Sequence, residues 1–108
     1  MMKEIEEFKQ LVNEKLYYDA HETLEELWFP IRKMKNNYCL VLKGFINAAV
    51  SLELYKRNKI TQSKKIYLVY LKYVTDKRIN CCDHKEELKK LKVFIDIYFK
   101  TLENSHKL

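Results

Sequence analysis

An imidazole stands among carboxylates in the run Tyr17-Tyr18-Asp19-Ala20-His21-Glu22-Thr23-Leu24-Glu25-Glu26-Leu27-Trp28. At about 100° per residue on a helix, Leu24, Trp28 and Tyr17 mark a buried arc and His21 falls on its shoulder. Glu25 lies one step further out, and Glu22 and Glu26 turn to water. His21 and Glu25 are then neighbours one turn apart. A carboxylate beside an imidazole orients the ring and fixes its tautomer, which serves proton transfer as well as the orienting of a metal ligand. The same spacing also makes an ordinary helix-stabilising contact worth about 0.3 kcal/mol, and that structural reading is the simpler one. A metal site needs three or four ligands, whereas this helix offers two, His21 and Glu25. The run is not a HExxH motif, and the paired Glu-x-x-His elements of a di-iron bundle are missing.

Further along, Lys43 and Asn47 lie one turn apart and flank Gly44, so they would face the His21 helix across its joint. Glu53 shares an arc with Leu42, Ile46 and Ala49; a buried acid there needs a lysine, a tyrosine hydroxyl or His21 as partner, while a helix end reaching solvent is the preferred reading. Cys81-Cys82-Asp83-His84 holds metal-ligating types, but no second cluster completes a tetrahedron, and a structural turn is the expected role. Tyr67, Tyr70 and Tyr73 sit beside lysines as they would in a nucleic-acid platform; at helical spacing, packing at the core boundary is the preferred reading. There is no Ser-His-Asp order, Walker loop or dinucleotide fingerprint, and a single glycine leaves no phosphate-cradling loop.

The elements that must position these groups are helices. The chain has 108 residues, 47% of them hydrophobic and 13% aromatic, which is a globular inventory and room for one domain, 1–108. One glycine and one proline are too few for the turns of an all-β domain. Apolar periodicity gives a first helix through Met1, Ile5, Phe8, Leu11 and Val12, closed near Asn13. A second runs from Tyr17 toward Ile31, with a stop or kink at 29–31 because Pro30 clashes with the carbonyl of Glu26. Residues 38–57 are apolar almost all round and form the expected central helix, on which Gly44, Ala48 and Ser51 make a ridge that a neighbour can approach closely. Asn58-Lys59 ends it; Thr61 or Ser63 would cap a fourth helix reaching Asn80. Asp83-x-x-Glu86 would open the last, striped by Leu88, Leu91, Ile95, Tyr98 and Leu102. The fold class is all-α, a compact bundle of about five helices around the apolar central one.

The run from Tyr17 to Trp28, followed by Leu42-Lys43-Gly44-Phe45-Ile46-Asn47-Ala48-Ala49, resembles the prokaryotic family known as domain of unknown function 309, over about residues 8 to 76. The resemblance implies a small, all-helical cytosolic protein with no established activity, and it matches His21, Glu22, Glu25, Trp28 and Gly44 to the family pattern. This chain departs from that pattern at Lys43 and Asn47, where the family usually has Gln, and at Lys15, where it usually has Gly. If the family site binds a metal, the Lys43 cation argues against one here, or else pairs with Glu22 or Glu25 in its place.

Charge and cysteines bound the setting. Twenty-one Lys and Arg against fifteen Asp and Glu leave +6, which attracts phosphates and acidic partners over about 8 Å without conferring specificity. Three cysteines, two of them adjacent, make a poor disulfide framework, and a start without a long apolar run fits a cytoplasmic protein. Charged residues break the apolar runs before a membrane span accumulates. The expected function is a non-enzymatic structural or interaction module with a His-Glu polar cluster between helices, no cofactor, and leftover apolar faces that support a homo-oligomer. The alternatives are a hydrolase-like or metal-dependent enzyme that uses His21, Glu25 and Glu22, with Trp28, Lys43, Asn47 and Glu53 around the substrate, and a basic nucleic-acid binder.

Overall fold

Apolar residues at helical spacing put Ile5, Phe8 and Val12 on one side of α1 (Met2–Asn13), and all three are buried. Met1, expected at the head of that stripe, lies outside the described residues, which are 2–106 of this computed structural model. The helix ends at Asn13 as expected, but the left-handed residue of its close is Lys15, not Asn13. Lys15 takes the left-handed conformation (φ 62°), with its N–H bonded to Val12 O (3.0 Å) and Leu16 N–H bonded to Leu11 O (2.9 Å). These are the two bonds of a Schellman closure.

In α2 (Tyr17–Trp28), Tyr17, Ala20, Thr23 and Leu24 are buried. Pro30 then opens a 3-10 turn over Phe29–Ile31, as its missing donor and its ring require. Asn36 caps α3 (Asn37–Lys56) by accepting a bond from Cys39 N (2.9 Å). This central helix buries residues around most of its circumference, from Cys39 to Leu52, and leaves the stripe of Lys43, Asn47 and Val50 exposed or half-buried. By length and composition alone it could cross a membrane, because its window holds few enough charges that Lys43 and Glu53 do not exclude it. Here that apolar surface is the core. A second Schellman closure ends it at Asn58 (φ 64°), with Lys59 N–H reaching Leu54 O (2.8 Å).

Neither Thr61 nor Ser63 caps α4 (Ile60–Tyr73); Lys59 occupies that position without a side-chain bond. Ser63 is instead buried against Ser51, and each hydroxyl donates to the other residue's carbonyl at 2.8 Å. The element expected to reach Asn80 breaks after Tyr73. Thr75 accepts a bond from Arg78 N (3.2 Å) and starts the short helix α5 (Asp76–Asn80), so the described residues form six helices where about five were expected. The last helix, α6 (Lys85–His106), takes its first bond from Leu88 N to His84 O, one residue past the start that an Asp83 cap requires.

The central helix packs most extensively against α4 and α2, α1 lies on α2, and α5 and α6 close the bundle. Buried side chains of all six helices form one core. The radius of gyration, 13.1 Å, is what a packed chain of this length should have. Gly44 faces α4, where a Cβ would overlap Val74 Cγ2 and come within 3.1 Å of Tyr73 Cβ. The small-residue ridge is thus the surface on which α4 rests. Two polar ties anchor α6. Tyr70 donates to Asp96 (2.7 Å), which also accepts from Lys92 (2.8 Å), and the Tyr98 hydroxyl joins Tyr17 (2.6 Å) to Val12 O (3.2 Å). Burial, with the Asp96 carboxylate second, pushes the Tyr70 hydroxyl far above the ordinary tyrosine range.

Candidate functional site

The bulge-free helix α2 carries His21 and Glu25 one turn apart, and His21 Nε2 lies 2.9 Å from Glu25 Oε1. The other ring nitrogen, Nδ1, faces the Tyr18 carbonyl at 3.3 Å. Both partners are oxygens of the same helix; a neutral ring donates to one of them and a doubly protonated ring to both. Tyr18 adds a tilted ring contact at 5.5 Å. The imidazole is mostly enclosed (19% exposed), while Glu25 stands out at 41%.

His21 lines a cleft of about 250 Å³ between α2 and α3. Tyr17 and Tyr18 form its wall on one side, and Ala49, Glu53 and Arg57 form it on the other. Glu53 pairs with Arg57 at 2.7 Å, one turn further along α3, and not with a lysine, a tyrosine or His21. Each charged pair is therefore closed within its own helix, and each is an exposed or half-exposed contact worth about 0.3–0.5 kcal/mol. Burial and the Tyr98 hydroxyl raise the Tyr17 hydroxyl far above its usual range, so that it stays a neutral donor at the base of the cleft.

Of the residues singled out in the sequence, His21, Glu25 and Glu53 come together at this seam. The others do not. Glu22 is exposed, and it forms no ion pair among the described residues. Trp28 packs half-buried against the core outside the cleft, with its indole Nε1 enclosed and without a hydrogen-bond partner among the described residues. Lys43 reaches toward α4, its Nζ 5.6 Å from the Tyr73 ring, and Asn47 bonds back to Lys43 O (2.8 Å). Neither faces α2, because Gly44 between them is the contact with α4. Cys82 is a core residue whose Sγ donates to Arg78 O, and burial pushes its thiol up; Cys81 is exposed. Among the described residues, no three His, Cys, Asp or Glu side chains converge as a metal would need.

Arg57, Tyr17 and Tyr18 were not among the expected site residues. The heptad-like position of Arg57 after Glu53 could have marked it, since i to i+4 acid-base pairs are readable. A larger cleft of about 770 Å³ had no local signal at all. It opens where Tyr55 of α3, Ser63 and Tyr67 of α4, and Asp96 and Phe99 of α6 meet, with Tyr67 and Phe99 in ring contact at 4.6 Å.

No curated protein and no solved structure matches the chain. A family model matches residues 5–66, beginning and ending before the span suggested by the motif. The match takes in α1, α2, α3 and the first half of α4, and so the whole His21 cleft; α5 and α6 lie beyond it. The chain belongs to the family described as domain of unknown function (DUF309).

Proposed function

We propose that this chain is a non-enzymatic structural and interaction module of the cytoplasm, in which the His21–Glu25 pair is a polar contact internal to α2 that fixes the ring at the edge of the cleft between α2 and α3. One observation carries the reading: both nitrogens of His21 lie against oxygens of its own helix, Glu25 Oε1 and Tyr18 O, so the lone pair that a neutral ring keeps is turned to α2. A general base or a metal ligand needs a ring lone pair aimed at a substrate or ion. The imidazole aims none into this cleft without first turning away from those oxygens. Three free cysteines suit a reducing compartment. Apolar pairs outside the core, Leu68 and Leu71 on α4 and Val93 and Ile97 on α6, support contact with a second copy.

Elemental analysis with thermal unfolding tests the proposal. The purified chain should carry no stoichiometric metal, its melting temperature should ignore a chelator, and His21→Ala should cost about 0.5 kcal/mol. Stoichiometric metal that His21→Ala releases from an intact fold would refute it and favour the enzyme. Sedimentation equilibrium checks self-association, which Ile97→Lys should weaken.

A further inference from the structure

Three cations from three helices converge on one ring. Lys43 of α3, Lys72 of α4 and Arg78 of α5 place their charged groups 5.6, 5.4 and 5.9 Å from the centre of the Tyr73 ring. The fold brings them there by two devices already described. Gly44 lets the end of α4 settle on α3, which sets Tyr73 beside Lys43. The Thr75 cap then turns the chain into α5, so that Arg78 comes back over the ring it has just left. Arg78 is further fixed by a bond from Nη1 to Asn37 Oδ1 (3.4 Å).

No ion pair joins any of the three to a carboxylate among the described residues. The distances to the ring centre hold every pair of these charges within about 12 Å, at most about one and a half screening lengths in physiological salt. Like charges at that spacing repel, and a contact with the ring face returns only about 0.5–1 kcal/mol for each exposed cation. An anion between them removes the repulsion. A carboxylate presents two oxygens and one charge. A phosphate presents three or four oxygens and up to two charges, matching one planar guanidinium and two mobile ammonium groups.

We infer that Lys43, Lys72 and Arg78, gathered around Tyr73, form a binding site for the phosphate group of a phosphorylated ligand. The site is separate from the His21 cleft, since Lys43 and Glu53 are about 15 Å apart along α3. A free nucleotide and a single-stranded nucleic acid present the same phosphate chemistry, and the tyrosine face that the lysines leave on turning to a phosphate suits the base of either.

The test is titration of the full chain with inorganic pyrophosphate, AMP and a fluorescein-labelled 12-nucleotide oligothymidylate, followed by amide chemical shifts and by anisotropy. Shifts should centre on residues 43, 72–74 and 78. Lys43→Gln, Lys72→Gln and Arg78→Gln should each weaken binding about tenfold, and Arg78→Lys less. Binding of pyrophosphate and AMP as tight as that of the oligonucleotide identifies a free phosphate ligand. Much tighter oligonucleotide binding, with a salt slope that falls by about one per cation removed, identifies a single strand. Lys64→Gln and Lys100→Gln, on the far cleft, should bind like the parent. No binding of any probe, equal binding by the three variants, or equal weakening by the two controls would overturn the site, the last because it reports net charge alone. Melting curves of each variant exclude a folding defect, which is not expected at the exposed Lys43 and Lys72.

Discussion

Replacing Gly44 by alanine sets two opposing effects against each other. Inside a helix, alanine is favoured over glycine by about 1 kcal/mol, so sequence reasoning expects stabilisation. The packing says otherwise. The new methyl group would overlap Val74 Cγ2, stand 3.1 Å from Tyr73 Cβ and 3.4 Å from Val74 N. Val74 is buried (2% exposed) and short, so it cannot swing aside, and the other two neighbours belong to or adjoin the backbone. Helices α3 and α4 must therefore part at their closest point. Overpacking of this kind costs about 1–3 kcal/mol, and an overlap this severe belongs in the upper part of that range. The net loss is about 1–2 kcal/mol, or roughly 4–8 °C in melting temperature for a domain of this size. Urea unfolding can be followed through Trp28, the chain's single tryptophan. Adding Val74→Ala supplies a second reading, since its cost should be smaller by at least about 0.5 kcal/mol when residue 44 is alanine. A midpoint unchanged or raised by Gly44→Ala, with no coupling to Val74, would refute the claim that this glycine sets the approach of the two helices.

Lys15→Gly should stabilise by about 0.5–1 kcal/mol, because Lys15 holds a positive φ that costs a residue with a Cβ about 1–2 kcal/mol, partly offset by the glycine's freedom when unfolded; a lowered urea midpoint would contradict this. Tyr70→Phe removes a donor from the Asp96 carboxylate and should cost about 2 kcal/mol at pH 7. The Tyr70 hydroxyl is raised above its unfolded value of 10.0, so the folded chain keeps a proton that the unfolded chain loses, and stability must fall as pH rises past 10. The unfolding free energy from urea titrations at pH 8 to 11 should fall past pH 10 by up to about 1.4 kcal/mol per pH unit for this group, and less steeply in Tyr70→Phe. Ser51→Ala should cost about 1 kcal/mol through the lost bond to Ser63 O, as read by thermal unfolding.

What could be read from the sequence was whatever depends on near neighbours. Helix class and the stops at Pro30 and Asn58 follow from period and backbone chemistry within a few residues. The burial of 38–57 follows from its unbroken apolar surface. The same reasoning missed the break at Thr75, because a stripe that continues through Tyr73 and Val74 hides a cap whose only mark is one hydroxyl three residues before Arg78. It ended α1 at Asn13 correctly but gave Asn13 the left-handed position, since asparagine tolerates that region better than lysine; the Schellman bonds to Leu11 and Val12 outweigh that preference and put it at Lys15.

The candidate site divides along the same line. The His21–Glu25 contact is local and was legible; which face of α3 it would meet was not, because that depends on where α4 lies. Gly44 decides it. A helix buried on nearly every side has no single inward direction, so periodicity cannot orient it, and the one position without a side chain becomes the place where the largest neighbour comes closest. Once α4 occupies the Gly44 side near the start of α3, Lys43 is committed to Tyr73, and α2 must take the face that carries Ala49, Glu53 and Arg57. The two polar regions of this small bundle, a seam closed by ion pairs and a ring crowded by unpaired cations, are thus consequences of one helix packing choice. Widening the α3–α4 contact with Gly44→Ala should for that reason also loosen the convergence on Tyr73, weakening pyrophosphate binding while leaving the His21 amide shift in place. A change confined to the His21 seam would break the link between the two.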